Sequence, residues 1–305
     1  MIRRTTRSIP AIAAFAGALF ALSACGSSSS TSAAGASSTS ASGSSSDSAA
    51  ASTTSSSAAA APAGLMKSGE LSVCTDPEYA PMEYYQNGTS GTPIGFDSDG
   101  AVALAKLWGV TVKWVPTAFD GLMPALQAKR CDILWSALYL SPERLQVANG
   151  SPFMVTGPGL IVPSGTTDIK TADDLSGKRV AVQGGGSNEK MLRTLSAKLE
   201  AEGKPGLKVQ AYPKTAETVA AVSNGKADAL IETDVAVADM VAKSNGKLVE
   251  VKGIFPTETK FGVFTLKDSP LSAPVADGLK TLGSDGTLAT IAKKYGLDPA
   301  KVATA

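Results

Sequence analysis

From Glu70 onward, short β-branched runs alternate with helical stretches, and this order limits the chain to an α/β fold with mainly parallel sheets. Strands are expected at Leu71–Thr75, Thr111–Val115 and Cys131–Ala137. Between them the sequence predicts a helix over Ser98–Trp108 and another that Asp120 caps and that runs to Lys129. A second series follows. Its strands are Lys178–Gln183, Val209–Tyr212, Asp228–Glu232, Lys247–Val251 and Phe261–Leu266. Its helices run from the Gly184-Gly185-Gly186-Ser187 turn to Glu200, then over Thr215–Asn224, Val235–Ser244, Pro274–Gly283 and Thr287–Tyr295. No short repeat interrupts this pattern, which excludes solenoids and propellers. In open α/β sheets ligands sit beyond the C-terminal ends of the strands. The segments to inspect are therefore 76–83, 117–121, 136–144, 184–189 and 232–234.

The alternation does not begin at the N-terminus. Arg3, Arg4 and Arg7 precede an apolar run from Ala11 to Leu22, which is shorter than the ~20 residues a spanning helix needs. The run ends in Leu22-Ser23-Ala24-Cys25, which resembles the bacterial lipobox. That resemblance implies a signal peptide over residues 1–25, acylation of Cys25 and an extracytoplasmic protein anchored to the cell membrane. Residues 26–65 are almost entirely Ser, Ala, Thr and Gly, with no apolar periodicity, and read as a disordered tether. The folded part is thus about 240 residues, enough for two lobes.

Charge and composition exclude several functions. The formal net charge is +1, and three of the 28 basic residues lie in the leader, which leaves 25 against 27 acidic residues. Without a basic cluster, nucleic acid is not an expected partner. The sequence contains no histidine, so His triads, His proton shuttles and His metal sites are out. No Cys-x-x-Cys pair marks a metal site, and no metal or cofactor is expected. Cys74 and Cys131 are either a disulfide or two buried thiols. Placed on neighbouring parallel strands they would sit beyond the roughly 7 Å Cα limit for a bridge, which favours thiols.

Seven motifs in order resemble bacterial extracellular solute-binding proteins of family 3, which serve ABC importers of polar amino acids. They are Thr75-Asp76-Pro77-Glu78-Tyr79-Ala80-Pro81-Met82-Glu83; Gly95-Phe96-Asp97 with Asp99; Phe119 to Leu126; Cys131-Asp132-Ile133; Ser141-Pro142-Glu143-Arg144; Gly225-Lys226-Ala227-Asp228-Ala229; and Asp285-Gly286-Thr287. The resemblance implies a two-lobed clamp of the type II periplasmic-binding-protein kind, with two hinge crossings near residues 155–159 and 256–260. Residues 66–156 plus 260–305 would form lobe 1 and residues 157–259 lobe 2. It also implies a monomer that closes on a small carboxylate-bearing ligand and works with a permease and an ATPase.

Arg144 is the expected grip on the ligand carboxylate, because a guanidinium fork holds a carboxylate bidentately. Gly186 and Ser187 open a helix whose unpaired N–H groups and dipole favour an anion, and the P-loop Lys-Ser/Thr pair is missing. Tyr79 and Phe119 occupy the positions where the family sandwiches the ligand side chain. Asp76 is expected on polar ligand atoms, and Ser136 and Ala137 are expected to offer hydroxyl or main-chain groups. Tyr139 stands where the family has a small Thr or Ser and would narrow the pocket. Alternation puts Trp135 and Ala137 on one strand face, with Trp135 in the core, and Ser136 on the other.

The pattern breaks at one position. The family's ammonium-binding Asp, five residues after the Asp228 equivalent, is Thr233 here. Three readings stay open. Asp234 or Glu232 takes over; Asp76 or Glu83 supplies the charge from the other lobe; or the ligand lacks a free α-ammonium. The rival functions are a cyclohexadienyl-dehydratase-like enzyme using carboxyl acid–base chemistry, a sensor acting through a membrane partner, and a structural surface lipoprotein.

Overall fold

The computed structural model describes residues 61–255 and 258–302. The leader, Cys25 and the tether up to residue 60 lie outside the described residues, as do residues 256 and 257 of the second expected crossing.

In chain order the first elements are β1 (Glu70–Thr75), the short hairpin β2 (Glu78–Tyr79) and β3 (Glu83–Tyr84), α1 (Phe96–Leu107), β4 (Thr111–Pro116) and α2 (Leu122–Gln127). They are followed by β5 (Ile133–Tyr139), α3 (Pro142–Val147) and β6 (Ala148–Thr156). Next come β7 (Pro158–Pro163), β8 (Arg179–Gln183), α4 (Ser187–Ala201), β9 (Lys208–Tyr212), α5 (Thr215–Ser223), β10 (Ala229–Thr233), α6 (Asp234–Lys243) and β11 (Leu248–Val251). Finally β12 (Thr259–Leu266) returns and is followed by α7 (Ser272–Ser284) and α8 (Thr287–Lys294).

Two five-stranded sheets result, in the orders β4-β1-β5-β12-β6 and β11-β7-β10-β8-β9. In each sheet one strand runs against all the others: β12 in the first and β7 in the second. These are the strands on which the chain arrives from the other sheet. The fold is therefore a two-lobed α/β clamp, and Gly157 carries the chain between its lobes after β6.

Burial explains the element types. Every residue of the central strands β5 and β10 is buried, as suits strands covered by helices on both faces. The edge strands β4 and β9 instead show partial or full exposure and carry Lys113 and Lys208. Asp97 and Asp99 sit in the first turn of α1, where the helix dipole favours negative charge. Gly95 precedes that helix at φ 123°, and a Cβ there would lie 2.2 Å from the Met82 carbonyl oxygen. Only glycine lets β3 approach the start of α1 this closely.

Several local expectations need correction. β6 and β7 were not among the expected strands, and their stretch carries Pro152, Pro158, Pro163 and three glycines, residues that disfavour strands. Pro158 and Pro163 sit at the two ends of β7, and Pro152 lies beside a register shift on the edge strand β6, positions where a missing N–H is tolerated. Asp120 caps nothing: it lies inside a 3-10 turn, Phe119–Gly121, and Gly121 precedes α2. Cys74 and Cys131 form a disulfide with a Cα separation of 5.6 Å. The expectation of free thiols assumed that Cys131 lies within a strand. It precedes β5, whose first residue is Ile133, so the strand spacing does not apply to it.

Candidate functional site

A cleft of about 620 Å³, counted out to its mouth, lies between the two sheets. The segments after β1, β4, β5 and β8 and the C-terminal end of β10 itself all reach it, as the strand-end rule requires. The structure brings together around it Asp76, Tyr79, Phe119, Ser136, Ala137, Tyr139, Arg144, Gly186, Ser187 and Thr233.

Asp234 is not among these residues. As the first residue of α6, it turns its carboxylate toward the crossing. There it accepts hydrogen bonds from the Thr156 hydroxyl (2.7 Å) and the Gly157 N–H (3.3 Å), and it pairs with Lys301. The expected ligand role is thereby replaced by bonds to the segment that joins the lobes.

β5 is the centre of the site. Gly262 and Phe264 of β12 face Leu138 and Leu134, so five residues of β5 run alongside three of β12. Such a bulge re-aims side chains. Ala137 takes φ +40°, a strained value for a residue with a Cβ, and its N–H donates to Asp97 Oδ2 at 2.6 Å. Simple alternation fails here: Ser136 and Ala137 both line the cleft, while Trp135 is fully buried. The Ser136 hydroxyl donates to Glu83 Oε1 (2.7 Å) and accepts from the Asp76 N–H (2.9 Å).

Beneath this bulge Glu83 and Asp97 are each 1% exposed. Glu83 Oε2 and Asp97 Oδ1 are both buried without a hydrogen-bond partner among the described residues, and the two carboxyls are close enough to bear on each other's ionisation. Two buried carboxylates this close cannot both stay ionised, so one proton stays with the pair. Burial pushes Asp97 up to about 8, and burial followed by the Asp97 charge pushes Glu83 well above its usual range.

Arg144 is placed by α3. The Ser141 hydroxyl accepts from the Arg144 N–H at 3.4 Å, with Pro142 in the first turn. One guanidinium nitrogen, Nη1, donates to the Tyr139 carbonyl at 3.0 Å. Burial lowers Arg144 to about 10, which leaves it charged at neutral pH. Glu143 pairs with Lys190 of the other lobe, and among the described residues no carboxylate lies within ion-pair distance of Arg144. Among the described residues, Arg144 is the only basic side chain lining the cleft. Across from it stands the N-terminus of α4, with Gly186, Ser187 and Asn188 on the lining. The N–H groups of this first turn have no partner within the helix. Gly186 precedes the helix, so Ser187 is its first residue and not its cap.

The cleft floor is joined to the core through a run of aromatic rings. Tyr139 stacks on Phe261 (5.4 Å), Phe261 on Phe153 (6.0 Å), and Phe153 contacts both Phe96 (5.7 Å) and Trp135 (5.4 Å). The Tyr139 hydroxyl is buried without a hydrogen-bond partner among the described residues.

Carboxylates outnumber cations on the lining: Asp76, Glu78, Glu83 and Glu232 against Arg144. Burial, aided by Glu78, pushes Asp76 up to about 6. Tyr79 reaches across from the first lobe, and its hydroxyl donates to Glu232 Oε1 at 2.8 Å and accepts from the Thr233 hydroxyl. Gln183, Asn188 and Thr215 also line the cleft, and the sequence reading did not single them out. Asn188 lies inside the inspected 184–189 segment without having been singled out, and extending that window back by one strand residue finds Gln183.

This architecture defines a two-lobed solute-binding protein. Residues 71–298 match the bacterial extracellular solute-binding proteins, family 3, and the chain belongs to that family. It is 30% identical to the L-cystine-binding protein TcyJ of Escherichia coli (strain K12) over 236 residues, 76% of this chain and 85% of that one. Among solved structures it is similar to an ancestral arginine-binding protein bound to arginine, with a TM-score of 0.68, 28% identity, and coverage of 74% of this chain and 98% of the other. It is also similar to the ancestral amino acid-binding protein AncCDT-1, a precursor of cyclohexadienyl dehydratase. There the TM-score is 0.66 and the identity 33%, over 74% of this chain and 95% of that one.

Proposed function

We propose that this protein is the solute-binding component of an ABC importer and that it captures an amino acid or amino-acid derivative by closing its two lobes. The observation that carries this reading is Arg144: a charged guanidinium at the cleft, with no carboxylate partner among the described residues, facing the N-terminus of α4. A partly buried cation without a counter-charge is costly, and a ligand carboxylate supplies one. Asp76, Ser136, Ala137, Gly186, Ser187 and Thr233 offer polar groups around the ligand. Tyr79, Phe119 and Tyr139 supply aromatic faces. The relatives whose names specify a ligand bind amino acids, among them cystine, lysine, arginine, ornithine and histidine. The closed form would dock on a permease that works with an ATPase. The lipobox-like Leu22 to Cys25 would anchor a monomer to the outer face of the cell membrane through lipidated Cys25.

A thermal-shift panel of amino acids, their decarboxylated amines and their deaminated acids tests the proposal. A ligand at 100 times its Kd adds about 2.7 kcal/mol of stability, a shift of several degrees. Carboxylate-bearing compounds should shift the melting temperature and the matching amines should not. Arg144→Gln should raise Kd at least about 30-fold. Binding of amines as strong as that of the parent amino acids would sink the proposal.

A further inference from the structure

We infer that Glu232 is the cleft's cation-binding carboxylate and that it takes the ammonium of the bound amino acid, one residue before the position at which the family motif places its acid. This rests on the reading of the cleft as an amino-acid site. The argument runs by elimination among the four lining carboxylates. Glu78 is already paired with Lys214 Nζ at 2.6 Å. Asp76 lies within reach of that same Lys214 charge. Glu83 is buried beneath the bulge beside a second carboxyl, Asp97, and is tied to Ser136. Glu232 is left with neutral donors only: the Tyr79 hydroxyl, the Thr233 N–H at 2.9 Å and the Thr215 hydroxyl.

Those donors do not saturate it. The Tyr79 and Thr233 bonds both go to Oε1. Oε2 has only the Thr215 hydroxyl at 3.4 Å, and that hydroxyl also lies 3.3 Å from Gln183 Oε1. One hydroxyl hydrogen cannot serve both acceptors. Glu232 is 5% exposed, so little of it is open to bulk solvent. A buried carboxylate oxygen with half of one long hydrogen bond requires a proton or a cation. Thr215, Gln183 and Glu232 all line the cleft, so that cation would come from the ligand. Thr233 cannot compete for it, because its hydroxyl hydrogen is committed to Tyr79 and a hydroxyl carries no charge. Glu232 from the second lobe and Arg144 from the first then give the cleft one acid and one base for a zwitterion.

The test is calorimetric titration of the intact protein, of Glu232→Gln and of the double variant Glu232→Gln with Thr233→Asp. The probes are the standard amino acids and their deaminated counterparts. The wild type should favour amino acid over deaminated acid by roughly 10- to 100-fold, the range of a charge-assisted bond. Glu232→Gln should erase that preference by weakening the amino acid far more than the deaminated acid, and a cooperative thermal melt of the variant reports that it is folded. The double variant should regain the preference. Loss for all dibasic amino acids alone would place the ligand's distal cation, rather than its α-ammonium, at Glu232. A Glu232→Gln protein that keeps the full preference, or loses acid and amino acid alike, overturns the assignment and leaves the amino-acid reading intact. A wild type that binds none of the probes overturns both.

Discussion

At the scale of single residues, the Glu83–Asp97 pair links ionisation to the shape of the cleft. Asp97 holds the strained Ala137 by its N–H, and Glu83 holds Ser136 by its hydroxyl. Burial raises both carboxyls, so the folded protein retains a proton that the unfolded chain releases. The stability this provides is fully present below about pH 4, where the unfolded carboxyls are also protonated, and is lost as pH rises through about 8. The melting temperature should therefore fall between about pH 5 and pH 8. Asp97→Asn keeps an oxygen for Ala137 and gives Glu83 an amide donor, so its fall should be shallower. Asp76, also raised, keeps some slope in both proteins. Parallel curves for the two proteins would rule the pair out as the source. The Gly95-Phe96-Asp97 motif showed that this residue mattered, but not what it touches, because its partners lie 14 and 40 residues away along the chain. Asp234 shows the opposite failure. Its place next to Thr233 suggested the cleft, yet a helix N-terminus rotates each successive side chain by about 100°, and Asp234 faces the crossing.

At the scale of elements, the strands and helices that follow hydrophobic periodicity were legible to within a few residues, and those that break it were not. The bulge in β5 has no local signature: its cause is the pairing with β12, more than 120 residues later. The Cys74–Cys131 bridge was misjudged for a related reason, a strand start placed two residues too early. It ties the end of β1, just before Asp76, to the segment that leads into β5, and so fixes two cleft-bearing elements together. The residues it joins are 57 apart, and closing a loop of that length in the unfolded chain contributes about 4 kcal/mol. Replacing both cysteines with serine should cost stability of that order in denaturant unfolding. A change below about 1 kcal/mol would mean that the bridge does not constrain the unfolded chain in this way.

At the scale of the whole molecule, the lobes meet through charges at the rim as well as through Tyr79. Glu78 pairs with Lys214 on one side of the cleft, and Glu143 pairs with Lys190 on another. All four side chains are about half exposed, so dissolved ions screen them. Ligand affinity should fall as ionic strength rises, and the combined variant Glu78→Gln, Glu143→Gln should bind more weakly and lose that salt dependence. An unchanged salt slope would show that these pairs do not help to hold the lobes together. The two-lobed plan was readable from the order of motifs, whereas these rim pairs were not, because each joins residues far apart in the chain and on different lobes. The two reversed strands have a different consequence. All five strands of the second sheet lie in one unbroken stretch, β7 to β11, so that lobe has every strand it needs as soon as residue 251 has emerged. The first sheet lacks its fourth strand until β12 arrives, and β6 has no neighbour before then. During synthesis the lobe that begins later is thus the first that can finish, and the lobe that begins earlier must wait, with an open seam, for β12.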